Sequence, residues 1–184
     1  MATFNVPTRD QVDAKAQGIF DNLKKQLGMV PNLYATIGSA GNILESYLGF
    51  SHTAEKSSFR NREVQAIYLA VSEVNGCSYC LSAHTTLGKM NGFSEEETFD
   101  LRAGTSSDTK LRTLTQLARS FVETQGRPDA ALVDAFFGLG YDQKAFVEFV
   151  ALINAKQFAN YIHNSMDFAI DFPVAKPLPE LATV

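Results

Sequence analysis

A chain of 184 residues, 45% hydrophobic and 20% charged, has the size and make-up of one globular domain and too much apolar surface for a disordered segment. Its formal net charge of −4 and the lack of any Lys or Arg run argue against a nucleic-acid or anionic-membrane partner. The first residues lack the basic and apolar regions of a secretory signal, and no stretch approaches the roughly 18 uninterrupted apolar residues of a membrane span. These features predict a soluble, cytoplasmic protein with residues 1–184 in a single domain.

The hydrophobic period is helical throughout. Thr8 or Asp10 is placed to cap a first helix carrying Ala14, Ile19, Phe20, Leu23 and Leu27, which Gly28 stops before a turn at Pro31. A second helix is expected over 42–56, presenting Leu44, Tyr47, Leu48 and Phe50. A third, over 62–75, places Val64, Ile67, Tyr68, Val71 and Val74 at i, i+3, i+4, i+7 spacing, and Asn75-Gly76 ends it. The next helix begins at Cys77 or Ser78 and runs to Met90. Ser94 through Glu97 forms a capping box for a short helix, Asp108 caps a longer one ended by Gly126, and Pro128 opens another short one. The last helix runs from Gln143 to about Phe168, with Phe146, Phe149, Val150, Ile153 and Gln157 on one face. Residues 171–184 hold three of the six prolines and are expected to form an extended arm. No segment shows period-two alternation between turn signals, so the fold class is all-α, a compact helical bundle.

The chemistry concentrates in residues 63–85, EVQAIYLAVSEVNGCSYCLSAHT. The chain has only two cysteines, and they form one C-x-x-C. In a cytosolic protein that spacing points to redox or metal chemistry, because a disulfide closing so small a loop removes little chain entropy. Cys77 sits at a helix N-terminus, where unpaired N–H groups and the helix dipole favour a thiolate. Cys80 lies one turn on, so the two sulfurs can meet, and His84 follows after another turn on the same face. An imidazole there can take the Cys80 proton or stabilise its thiolate. The three side chains supply a nucleophile, a resolving thiol and a base, provided that both sulfurs and the imidazole share one exposed turn. A zinc site using the same three residues is the main competitor, but it lacks a second ligand pair. His52 and His163 read as structural. A thioredoxin-type fold is excluded, since its C-x-x-C follows a strand and this one follows a helix.

The stretch LAVSEVNGCSYCLSAH resembles the core motif of the alkylhydroperoxidase D-like branch of the carboxymuconolactone decarboxylase family, specifically over residues 62–92, and the arrangement resembles its uncharacterised peroxidase-related members more than the decarboxylases, which generally lack the cysteine pair. That resemblance implies an all-helical homo-oligomer (trimer, dimer or hexamer). It also implies cofactor- and metal-free reduction of a small peroxide, supported by a dithiol or redox-protein donor. By the same analogy Cys80 attacks the peroxide, Cys77 resolves the sulfenic acid to a disulfide, and His84 assists. Helix-end electrostatics instead favour Cys77 as the more acidic thiol. Two departures stand out. Gln65 occupies the position of the family glutamate, and Tyr79 stands where alkylhydroperoxidase D has a histidine. A shortened proton relay is therefore expected, with Gln65, Glu73, Tyr79 and Glu148 as its candidate members and Glu63 on a solvated helix face. Two alternatives are a non-catalytic redox sensor and an acid–base enzyme of the decarboxylase type, which would not need the cysteine pair.

Overall fold

The computed structural model describes residues 4–179, and among them the fold is all-α. The helices are α1 (Ala14–Leu27), α2 (Asn32–Ile37), α3 (Gly41–Glu55), α4 (Asn61–Val74), α5 (Ser78–Met90), α6 (Glu95–Ala103), α7 (Thr109–Glu123), α8 (Ala130–Gly138) and α9 (Gln143–Met166). Most boundaries follow the expected signals. The Ser94 side chain accepts from Glu97 N while Glu97 reaches back to Ser94 N, which closes the capping box. Asp108 accepts from Lys110 N and Leu111 N, and Gly28 ends α1 at φ 79°. Two details differ. Asp13, not Thr8 or Asp10, caps α1, while Thr8 opens a single 3-10 turn, Arg9–Gln11. The turn expected at Pro31 is instead the start of α2, where Pro31 stands at the N-cap.

Helix α4 organises the bundle. Its stripe reads as amphipathic, yet Ala66, Leu69, Ala70 and Ser72 are buried as well, so apolar surface covers most of its circumference. It packs against α5, α6, α7 and α9. Val64, Ile67, Tyr68 and Val71 enter a core with Phe59, Phe136 and Phe149, while Ala66 and Leu69 meet Phe93, Leu101 and Leu111. A third cluster joins Phe20, Leu33, Leu44 and Tyr47 to Cys77, Tyr79 and Cys80. The cysteines therefore sit inside the fold, beneath α1–α3.

After α9 the described chain runs without helix to residue 179 and crosses α5 and α6. Ala175 N donates to Ser82 Oγ, and the Arg102 guanidinium donates to the Lys176 carbonyl at 2.7 Å. Residues 180–184 of the expected arm lie outside the described residues. Arg102 is 3% exposed and also holds Glu73 at 2.6 Å. Arg102→Ala strands that carboxylate and frees the arm, and loss of one partner of such a pair is expected to remove about 3 kcal/mol. Urea unfolding should show a lower midpoint at unchanged slope; a midpoint equal to that of the parent would refute the arm's anchoring.

Candidate active site

The link between α4 and α5 fixes the position of the thiols. Gly76, at φ 61°, takes the left-handed conformation that a side chain disfavours. Gly76 N donates to Glu73 O and Cys77 N to Ser72 O, the paired bonds of a Schellman motif. The chain reverses at once, so Cys77 both closes α4 and caps α5, its sulfur accepting from Cys80 N at 3.4 Å. The two thiols are free and face one another across this first turn.

The turn is not exposed. Cys77 is 0% and Cys80 1% exposed, because α1–α3 and the chain after α9 cover them. Access comes through a cavity of about 480 Å³ that Cys80 lines and Cys77 does not. Leu33, Tyr34, Tyr47 and Phe172 form its apolar wall, while Gln65, His84 and Lys156 form a polar side.

The expected direct contact of His84 with Cys80 is replaced by a different arrangement. His84 Nδ1 lies 2.8 Å from Gln65 Oε1, and its Nε2 is hydrogen-bonded to the Lys156 ammonium group. An ammonium can only donate, so Nε2 accepts and Nδ1–H donates to Gln65, which defines a neutral tautomer. Burial, reinforced by the Lys156 charge, holds the imidazole well below its ordinary pKa. Lys156 also stands 4.2 Å from the centroid of the Tyr68 ring.

The acidity order of the thiols also differs from the helix-end expectation. Cys80 is lowered to about 7, first by the hydrogen bond from Cys77, against burial, and then by Lys156 and the Asn160 amide. Cys77 is pushed up, first by that same bond with Cys80 and then by burial. The pair shares one charge, which settles on Cys80, the sulfur that accepts the bond from Cys77 and lines the cavity with Lys156.

Of the candidate relay residues, Gln65 and Tyr79 join the cavity. The Tyr79 hydroxyl, however, accepts from Leu33 N at 3.2 Å, and its ring packs on His163, Phe168 and Phe172. Glu73 and Glu148 do not belong to the cavity wall. Glu73 is bound by Arg102, and Glu148 pairs with Lys144 and accepts from Ser58 N, so it sits well below the usual carboxylate range. Glu63, expected on a solvated face, is 6% exposed and paired with Lys110. His52 lies on the surface of α3, and buried His163 bonds the Phe168 carbonyl. No group of three or more His, Cys, Asp or Glu among the described residues is gathered around a metal position.

Lys156 escaped sequence reasoning. Its signal was a lone cation in the apolar run AFVEFVALINAKQFANYIH, in register with the buried positions Phe149, Leu152, Asn160 and His163 of α9.

Residues 43–123 match the sequence profile of the carboxymuconolactone decarboxylase family. Over those residues the chain carries that family's sequence pattern, and its all-helical fold is AhpD-like. The AhpD-like fold recurs in an uncharacterized peroxidase-related protein from Ralstonia eutropha JMP134, described as an alkylhydroperoxidase AhpD core. That likeness has a TM-score of 0.81 at 14% identity, covering 91% of each chain. An uncharacterized peroxidase-related protein from Silicibacter sp. TM1040 superposes with a TM-score of 0.80 at 17% identity, over 91% of this chain and 90% of that one. A cysteine-to-alanine variant of the debrominase Bmp8, in complex with 2,3,4-tribromopyrrole, gives 0.76 at 20% identity over 93% of both chains. No curated protein matches in sequence. No helix of the described residues is long and apolar enough to cross a membrane.

Gln65 is the hydrogen-bond partner of the His84 ring at Nδ1. Gln65→Glu would put a negative charge 2.8 Å from the imidazole and favour its charged form. The His84 pKa should therefore rise, read from imidazole nitrogen shifts during a pH titration. An unmoved titration would contradict the Gln65–His84 contact.

Proposed function

We propose that this chain is a thiol-dependent peroxidase that reduces hydroperoxides through a Cys77/Cys80 dithiol–disulfide cycle. One observation carries the reading: the thiol that opens on the cavity, Cys80, is also the one held toward its thiolate, with a second thiol against it.

The Cys80 thiolate attacks one peroxide oxygen and the O–O bond breaks. The sulfur keeps that oxygen as a sulfenic acid, and the other leaves, protonated, as alcohol or water. The Cys77 thiol then attacks the sulfenic sulfur, forms the disulfide and releases water. A dithiol donor restores both thiols by exchange and is itself oxidised to a disulfide. His84, on the same cavity wall and neutral, assists without adding a second buried charge. The peroxidase-related names of the structural neighbours agree with this class of reaction. The fold also carries the debrominase Bmp8, so the fold alone does not choose the substrate.

Peroxide consumption with a dithiol donor tests the cycle. Cys80→Ser should abolish turnover, whereas Cys77→Ser should complete one oxidation and stall as a sulfenic acid that dimedone traps. Turnover surviving the double substitution would transfer the chain to acid–base chemistry, and a disulfide that forms without turnover would make it a sensor. Because protonation removes the nucleophile, the rate of the first oxidation should fall as pH drops through about 7. A flat profile across that range would contradict the assigned thiolate.

A further inference from the structure

The Lys156 ammonium is enclosed, 6% exposed, and the ion pairs of the described residues bring no carboxylate to it. Its hydrogen-bond partner is the neutral His84 ring, and its other neighbour is the face of Tyr68. Neither supplies a formal negative charge. A cation kept from water needs one, or it loses its proton.

The groups packed around it narrow the choice. Tyr34 on α2, Tyr47 on α3 and Tyr68 on α4 stay protonated, since burial raises all three. Tyr79 on α5 is raised for the same reason. Cys77 keeps its proton as donor to Cys80. Glu55 on α3 also lines the cavity, but it is exposed to solvent, its carboxylate accepts from the Tyr68 hydroxyl at 3.2 Å, and it acts on Lys156 after Cys80. The Cys80 sulfur remains, on the same cavity wall as Lys156. The influence is mutual: burial lowers Lys156, and Cys80 is the foremost group that restores it.

We propose that Lys156 is the counter-ion of the Cys80 thiolate, and that His84 serves as the prop that holds the Lys156 ammonium in place. Lys156 is then a positioning residue that acts on peroxide through the sulfur, and His84 acts one step further back. This deepens the peroxidase reading by assigning the origin of its nucleophile, but the ion pair itself requires no peroxide.

The test is alkylation of reduced protein by iodoacetamide, located at Cys80 by peptide fragmentation and followed against pH, in the parent, Lys156→Met and Lys156→Arg. Loss of the cation should move the Lys156→Met midpoint up by at least about one unit, so that labelling at neutral pH slows about tenfold. Lys156→Arg, which keeps the charge, should bring the midpoint back toward that of the parent. Superimposable Lys156→Met and parent curves would overturn the proposal.

A second measurement needs no variant. Conversion of the thiol pair to a disulfide removes the negative charge, so the Lys156 Nζ titration followed by NMR should move to lower pH on oxidation. An identical titration in both redox states would overturn the proposal even if Lys156→Met did not fold. Labelling requires no turnover, so a shifted curve in a protein inert to peroxide rejects the peroxidase reading alone. Peroxide turnover with an unshifted curve rejects the ion pair alone.

Discussion

A positive charge held inside a helical bundle constrains everything near it. Lys156 projects from α9 into a region of tyrosines, aliphatic side chains and sulfur, with His84, Gln65 and Glu55 among its few polar members. Its presence accounts for three features that would otherwise be unrelated. His84 must offer a lone pair at Nε2 and therefore a proton at Nδ1; an acceptor, Gln65, must meet that proton; and the negative charge of the thiol pair falls on Cys80 rather than on the helix-capping Cys77. A neutral Gln65 fits the same electrostatics, because a carboxylate there would compete with Cys80 for the cation.

The backbone contributes the complementary half. The Gly76 reversal lets one residue end α4 and begin α5, which buries Cys77 while its sulfur caps the helix. Cys80 then emerges one turn later at the cavity wall. One thiol thus borders the cavity and the other is buried behind it, although both lie on the same short turn. Asn160 ties this reversal to α9, accepting from Asn75 at 2.9 Å and donating to Ser72 Oγ at 3.2 Å. The helix that supplies the cation thus also clamps the turn that supplies the thiols.

Much of this was legible in the chain itself. The break at Asn75-Gly76, the Ser94 capping box and the Asp108 cap are local signals, and the structure follows them. The C-x-x-C and its histidine were placed on the correct helix for the same reason. What escaped depends on distant partners. Helix α2 is only six residues long, so Pro31 read as a turn when it was a helix start. Glu63 looked solvent-facing until Lys110 from α7 covered it. His84 was expected to face the sulfurs because helical spacing permits it, and the spacing carries no trace of Lys156, seventy-two positions away. Secondary structure follows from neighbours along the chain, whereas protonation follows from neighbours across it.

The segment after α9 has a consequence for the order in which the site is built. Phe172 closes one side of the cavity, and Lys156 comes only with α9, yet both thiols belong to the middle of the chain. During synthesis from the N-terminus, the cysteine pair leaves the ribosome well before its cation and its aromatic wall. The nascent thiols are consequently open to solvent and without their charge partner, and they acquire their distinct acidities only when α9 docks against α4.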